Sequence, residues 1–289
     1  MYVEKKLKYI SWGASILAAI ILITIFSIRN VFSVSFKYIV PLEQEVNNVI
    51  TLIILVVITL PAIVEYNNNQ WKQSVDITIP KLLRDITEAV RSGVPLIKAL
   101  EDASQREYGP ISKPLSAALI KHNLTTDFEA SMTWLGQTLV QPSAKRMCKI
   151  LVEAYESGGK IIDVLDTSVE LFTHLVNYKE ERNILLKPYT FIVYLGTFIF
   201  IGISWVILTK FMMPLSTASA DQYTAQPSFL GNLLAIDYYK AILFWAALMN
   251  GFFGGIIAGK MSNGRILTGL IHSVLLIIIA TVFFNLFNV

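Results

Sequence analysis

Five stretches of the chain contain no Asp, Glu, Lys or Arg, and each is long enough to cross a membrane as a helix. These stretches cover residues 9–28, 46–64, 188–209, 241–259 and 266–289. A spanning helix needs roughly 20 predominantly apolar residues. Length and hydropathy disfavour the alternative, which is five buried helices of a soluble protein around one small polar region. The sequence therefore predicts about five transmembrane helices, at about 9–28, 46–64, 189–209, 241–259 and 266–287.

The first uncharged stretch follows Lys5, Lys6 and Lys8, which is how a secretory signal peptide also begins. Its apolar run is longer than the ~7–15 residues of a signal peptide core, and no small-x-small cleavage site follows it. We therefore expect a retained helix. The whole chain agrees with a membrane composition, because 54% of its residues are hydrophobic and 16% are charged, against a usual charged share of about 25%.

The positions of Lys and Arg predict the topology. With the N-terminus inside, the inner segments 1–8, 65–187 and 260–265 contain 20 of the 24 Lys and Arg residues. Since these residues are retained on the cytoplasmic side, we expect the N-terminus and residues 65–187 in the cytoplasm and the C-terminus outside the cell membrane. The chain then has an N-terminal membrane region (1–64), a cytoplasmic domain (65–187) and a C-terminal membrane region (188–289).

A six-residue pattern occurs twice, 65 positions apart. Glu88–Gly93 reads Glu-Ala-Val-Arg-Ser-Gly, and Glu153–Gly158 reads Glu-Ala-Tyr-Glu-Ser-Gly. Both copies predict an amphipathic helix, a Ser-Gly stop and a second amphipathic helix, with turns at Gly93, Gly158 and Gly159, because glycine takes the left-handed conformation without a Cβ penalty. The sequence predicts an all-α fold whose cytoplasmic part is a six-helix bundle made of two three-helix repeats.

Local signals set the expected helix boundaries. Residues 66–79 are predicted to be a connector, with Pro80 in the first turn of the helix that follows. Thr126 and Glu129 have the spacing of a capping box. In the C-terminal region, three glycines lie four positions apart, so another helix can approach them closely. They are Gly251, Gly255 and Gly259.

The sequence contains no recognisable catalytic motif. Gly158-Gly159-Lys160 lacks the upstream strand and the glycine spacing of a phosphate-binding loop. Cys148 and three histidines support neither a disulfide framework nor a zinc site. His272 could relay protons, but a hydrogen bond to a neighbouring helix is favoured, since no carboxylate lies in any uncharged stretch. The same absence disfavours a transporter. We expect no enzyme activity, no cofactor and no metal.

The cytoplasmic segment is close to neutral. Residues 65–187 contain 15 basic and 16 acidic residues, which argues against a general nucleic-acid-binding surface.

Three segments resemble the type II secretion F-domain family, and they resemble its archaeal members in particular. The first is Ile79–Asp85 with Glu88–Gly93, the second is Ala154–Gly159 followed by Val164 and Leu165, and the third is Ala258–Met261 followed by Gly269–Ser273. The resemblance covers about 75–289. The family comprises the inner-membrane platform proteins of type IV pili, type II secretion, Tad pili and archaella.

The resemblance implies a non-enzymatic platform that couples a cytoplasmic hexameric ATPase to the insertion of pilin-like or archaellin subunits. The uncharged stretches imply membrane lipids around the chain. The single cytoplasmic domain and the glycine face at 251–259 lead us to expect a second copy or a paralogue as partner. The alternative is a polytopic membrane receptor or adaptor whose helical domain binds a soluble signalling partner. Charged residues beside the repeat turns and in the last inner turn are the candidates for the ATPase interface, although helix charges are commonly only solvated. The candidates are Arg84, Asp85, Glu88, Arg91, Glu153, Glu156, Lys260 and Arg265.

Overall fold

The computed structural model describes residues 5–28, 40–214 and 236–287. Within them the protein contains nine α-helices and no strand, so the predicted all-α class is confirmed. The helices are α1 Lys5–Ile28, α2 Gln44–Arg91, α3 Leu96–Ser104, α4 Ser112–Thr125, α5 Phe128–Thr138, α6 Pro142–Glu156, α7 Ile161–Val206, α8 Ile236–Asn263 and α9 Leu270–Leu286. The predicted outer loops fall largely on 29–39 and 215–235, which lie outside the described residues.

Five helices are long and apolar enough to cross a membrane. They are α1, α2, α7, α8 and α9. Each contains most of one of the five uncharged stretches, as predicted. Helices α2 and α7 extend well beyond their uncharged stretches, because they cover 48 and 46 residues.

The connector predicted over 66–79 is wrong, because α2 continues through it and through Pro61 and Pro80. Proline removes one backbone hydrogen bond and normally kinks or ends a helix. Packing outweighs that local preference here, since Val75 and Ile79 before Pro80 and Leu82 after it are all fully buried in the core. Helix α7 likewise continues through Pro188.

The chain divides into two compact units. Of the described residues, those in 67–182 form the first, which we call the central unit, and those in 5–66 and 183–287 form the second, the flanking unit. The core of the central unit combines fully buried side chains of α2 to α7, among them Leu82, Leu100 and Leu151. The repeated pattern corresponds to two hairpins, α2–α3 and α6–α7, with α4 and α5 between them in the chain. The division into two three-helix repeats stays a prediction.

Candidate partner-binding surface

The first repeat turn closes α2 with a left-handed glycine. Gly93 has φ +93°, its N–H donates to Val90 O at 3.0 Å, and the N–H of Val94 donates to Ala89 O at 3.1 Å. These two bonds form a Schellman motif, which satisfies carbonyl groups that a helix end leaves unpaired. The motif sets the direction in which the chain leaves α2 toward α3.

The four candidate residues on α2 have different environments. Arg84 and Glu88 are exposed and form no ion pair with any described residue. Arg91 is exposed, but its Nη2 donates to both carboxylate oxygens of Asp166 at 2.7 Å each. Asp85 is half-buried and holds intramolecular partners. The turn therefore offers two charges that are free for another protein and two that are already engaged.

Asp85 is part of a small polar cluster. The hydroxyl of Tyr108 donates to its carboxylate, and Arg106 Nη1 lies 3.5 Å from it. Tyr108 is only 2% exposed, and burial together with the hydrogen bond to Asp85 raises the pKa of Tyr108 to about 12. The tyrosine therefore remains a hydrogen-bond donor over the physiological range. This cluster gives Asp85 a structural role that the sequence did not indicate.

The second repeat turn carries unpaired acidic residues. Gly158 has φ +57° and begins a single 3₁₀ turn, Gly158–Lys160. Glu153 and Glu156 are exposed in the last turn of α6, and no described cation forms an ion pair with either. Acidic residues at a helix C-terminus oppose the macrodipole, at roughly 0.3–1 kcal/mol each. Neither residue stabilises its own helix end.

The start of α5 differs from the sequence expectation. Asp127 is the N-cap residue, and its carboxylate accepts the N–H of Ala130 at 2.8 Å. Thr126 instead ends α4 in a left-handed conformation with φ +58°. The capping box predicted from Thr126 and Glu129 is therefore wrong. Only Thr126 and Asp127 separate α4 from α5. Because Thr126 adopts the left-handed conformation that ends α4, Asp127 is the residue that caps α5.

A groove runs between α5 and α6. One part has a volume of about 420 Å³ and is lined by both helices, including Met132, Cys148 and Val152. Cys148 is buried, and burial raises its pKa to about 12. A thiol with so high a pKa carries almost no thiolate near neutral pH, which makes it a poor nucleophile there.

Asp76 joins three helices of the central unit. Its carboxylate accepts hydrogen bonds from Gln141 Nε2 at 2.9 Å and from the Ser143 hydroxyl, both at the start of α6. It also pairs with Lys179 of α7 at 2.7 Å. This cluster was missed in the sequence, because Asp76 lies in the segment that was predicted to be a connector. Had α2 been recognised as one helix, Asp76 would have stood out as an acid beside its apolar face.

In the flanking unit, the glycines of α8 pack against α9. A Cβ at Gly255 or Gly259 would lie under 3.0 Å from the backbone of Ser273 or Gly269. At Gly251 the nearest atom would be a backbone carbon of Leu276 at 3.3 Å. Small residues permit such close helix contact. This glycine face is therefore covered within the chain and is not free to bind a second copy.

His272, Lys260 and Arg265 also lie in the flanking unit. The Tyr194 hydroxyl of α7 lies 2.7 Å from His272 Nδ1, which is the hydrogen bond to a neighbouring helix that the sequence favoured. Lys260 and Arg265 flank the turn between α8 and α9, where both are exposed and form no ion pair with any described residue.

None of the described residues form a group of three or more His, Cys, Asp or Glu that could hold a metal ion. The candidate residues at the two repeat turns and at the turn between α8 and α9 share one chemical property, which is that most of them are exposed charges without an ion-pair partner in the described parts of the chain. Such a surface can bind another protein by charge complementarity.

Comparison with known proteins finds a match for the region that contains both repeat turns. The model of the family "Type II secretion system (T2SS), protein F" matches residues 82–209, from α2 through α7. An uncharacterised protein of Methanocaldococcus jannaschii is 28% identical over 211 residues, or 72% of this chain. The chain spans 33% of the length of that relative. No solved structure matches the chain.

The five helices of spanning length, together with the matched domain, indicate a multi-pass membrane protein. The family to which the domain points is that of the membrane platforms of type II secretion and type IV pilus-like systems. Residues 82–209 are therefore similar to the protein F domain of type II secretion systems.

Proposed function

We propose that this protein is a non-enzymatic platform that couples a cytoplasmic hexameric ATPase to the insertion of pilin-like or archaellin subunits. The observation that carries the proposal is the protein F domain at residues 82–209, within a chain that has five helices of spanning length. The platform would transmit motion of the ATPase to the base of a growing filament.

In this proposal the chain lies in the cell membrane, in contact with membrane lipids. The N-terminus and the central unit face the cytoplasm and the C-terminus is external, as the distribution of Lys and Arg favours. A second copy or a paralogue acts as partner. The glycine face of α8 no longer supports this partner, because α9 covers it. The proposal of a partner therefore rests only on the single cytoplasmic domain. Crosslinking in native membranes tests it, and a chain that remains monomeric contradicts it.

The ATPase contacts the central unit through charges that have no partner within the chain. Four residues beside the repeat turns meet this condition, namely Arg84, Glu88, Glu153 and Glu156. Lys260 and Arg265 of the flanking unit are a second, separate candidate set. Asp85 and Arg91, in contrast, already have intramolecular partners. Exposed charges change association mainly through the rate of encounter, so we expect the contact to weaken as salt is added.

The test is stimulation of ATP hydrolysis. The purified protein in detergent is titrated into the secretion ATPase encoded in the same genome, and hydrolysis and co-elution are measured. We expect saturable stimulation and a stable complex. A folded sample that neither binds nor stimulates would contradict the platform function and favour the membrane adaptor.

A matched pair of variants then tests the surface. Arg84→Ala with Glu88→Ala removes two unpaired charges beside the first turn, and we expect weaker binding. Lys113→Ala with Glu107→Ala removes the same charges elsewhere on the central unit, where both side chains are also exposed. Equal binding by the two double variants would show that the first repeat turn does not contact the ATPase.

A further inference from the structure

The groove between α5 and α6 continues beyond the part described above. A second opening of about 390 Å³ adjoins it at the start of α5 and the end of α6. The two openings share Glu129 and Val152 as lining residues, so they form one continuous depression, which we call the α5–α6 trough. From Lys145 to Glu156 the trough follows α6 for about three helical turns, or roughly 16 Å.

The two ends of the trough have opposite charge. Asp127, Glu129 and Glu156 line one end, whereas Lys145 and Lys149 line the other. Asp127 caps α5, and none of the five residues forms an ion pair with any described residue. Their charges are therefore available to a molecule that lies along the trough.

Apolar groups form the floor between the charged ends. Met132 is fully buried beneath the trough, while Tyr155 is 45% exposed at its acidic end. The ring of Phe128 packs against Tyr155 with 4.7 Å between the ring centroids. An aromatic surface beside carboxylates suits a guanidinium group, which can stack on the ring and donate to the acids.

The charge pattern does not stabilise α6. Lys145 and Lys149 lie in its first half and Glu153 and Glu156 in its last turn, which is the reverse of the order that a helix macrodipole favours. Lys149 and Glu153 are four positions apart, yet they form no ion pair. Since the pattern contributes neither to the helix nor to an ion pair, recognition of another molecule accounts for it better.

The two repeat turns differ at equivalent positions. Arg91 at the first turn corresponds to Glu156 at the second, 65 positions later. Arg91 is neutralised by Asp166, whereas Glu156 faces the open trough. The duplication therefore has one turn closed by an internal ion pair and one turn that keeps its negative charge exposed.

We propose that the α5–α6 trough binds an amphipathic helical segment of a partner protein, with basic residues at one end and acidic residues at the other. The basic end lies between Asp127, Glu129 and Glu156, and the acidic end lies at Lys145 and Lys149. A segment whose own charges follow its macrodipole carries its bases at the C-terminus, so it runs parallel to α6. This inference rests on the proposed function for the identity of the partner, which is the cytoplasmic ATPase.

The experiment compares double variants of the full-length protein in detergent, with binding to the ATPase of the same genome as the readout. Glu129→Gln with Glu156→Gln neutralises the acidic end, and Lys145→Gln with Lys149→Gln neutralises the basic end. The matched controls are Glu107→Gln with Glu180→Gln and Lys113→Gln with Lys187→Gln, which alter exposed charges outside the trough and away from the repeat turns. All eight side chains lack ion pairs with described residues, so each variant is expected to fold.

We expect each trough variant to raise the dissociation constant by about tenfold, because each loses two charge-assisted contacts. Each control should change the dissociation constant by less than about twofold. If wild type binds and the trough variants bind equally well, the trough is not the interface and the proposed function stands. If wild type does not bind, both proposals are overturned. If the trough variants change the size of the protein on gel filtration and leave ATPase binding unchanged, a second copy occupies the trough and the inference is wrong.

Discussion

Arg91 at the end of α2 donates from Nη2 to both carboxylate oxygens of Asp166 on α7, at 2.7 Å each. The pair joins the first repeat hairpin to the second, across 75 positions of sequence. Both side chains are about half exposed, at 58% and 46%. Water therefore screens the pair, and its contribution to stability is small although its geometry is good.

The first prediction concerns this ion pair. Arg91→Ala and Asp166→Ala should each lower the free energy of unfolding by less than about 1 kcal/mol, because exposed pairs contribute little. A double-mutant cycle measured by thermal unfolding in detergent gives the coupling, which should decrease as salt is added. A coupling well above 1 kcal/mol that persists in high salt would show that the pair is buried in solution.

The second prediction concerns the contact between α8 and α9. Gly255→Ala and Gly259→Ala should each lower the free energy of unfolding by about 1–3 kcal/mol or more, because the added methyl group meets backbone atoms that cannot move aside. Gly251→Ala should have an intermediate effect. Gly196→Ala and Gly202→Ala are the controls, since a Cβ at either position has no neighbour within 4 Å. Equal melting temperatures for Gly255→Ala and Gly202→Ala would contradict the close contact.

The third prediction separates the two accounts of how α5 begins. Asp127→Ala removes the observed cap and should cost about 1 kcal/mol. Thr126→Ala and Glu129→Gln should change stability little, since neither side chain caps α5. Thermal unfolding of the three variants gives the ranking. Greater losses for Thr126 and Glu129 than for Asp127 would restore the capping box.

The fourth prediction concerns Asp76. Asp76→Asn should destabilise the protein by about 1–3 kcal/mol, because the hydrogen bonds from Gln141 and Ser143 lose a charged acceptor in a site that is mostly buried. The Asp76 side chain is 12% exposed, whereas that of Lys179 is 49% exposed. Lys179→Gln should therefore cost less than Asp76→Asn. The reverse order in thermal unfolding would mean that the hydrogen bonds to α6 contribute little.

The fifth prediction uses the buried thiol. Burial raises the pKa of Cys148 from 9.0 to about 12, so at pH 8 the folded protein has roughly 1,000-fold less thiolate than the unfolded chain, and a maleimide should label it much more slowly. An unfolded thiol ionises near pH 9 and the folded one near pH 12. The stabilisation from the neutral thiol is therefore complete below pH 9 and is lost as the pH rises toward 12.

Cys148→Ala is the control for this pH dependence. The advantage of wild type over Cys148→Ala in melting temperature should shrink between pH 9 and pH 12. Rapid labelling of the folded protein at pH 8, or a constant advantage across that range, would contradict a buried neutral thiol.

Much of the fold could be predicted because it depends on local composition. A membrane-spanning helix requires a long uncharged stretch whatever surrounds it, so residues 46–64 and 241–259 were recognised from the sequence. The repeat turns follow from a residue type, because only glycine accepts the conformation of Gly93 and Gly158 without strain. Pro80 misled the prediction, since its local effect on a helix is real but weaker than the burial of Ile79 before it and Leu82 after it.

The candidate surface could be predicted only in part. The sequence placed charged residues beside the two turns, but it could not separate free side chains from paired ones. Asp85 bonds to Tyr108, 23 positions away, and Asp76 pairs with Lys179, 103 positions away. Side chains so distant in sequence come into contact only when the helices pack, so their local spacing in the sequence does not predict the contact.

The sequence by itself determined which segments are apolar enough to cross a membrane, where the helical hairpins turn and which family the domain resembles. These properties depend on residue type and short-range spacing. Only the tertiary structure decided that α2 and α7 run unbroken through their prolines, that α9 covers the glycines of α8, and that a trough with opposite charges at its ends opens between α5 and α6. Those features arise from contacts between segments that are distant in sequence, and the energies of such contacts cannot be inferred from local residue patterns.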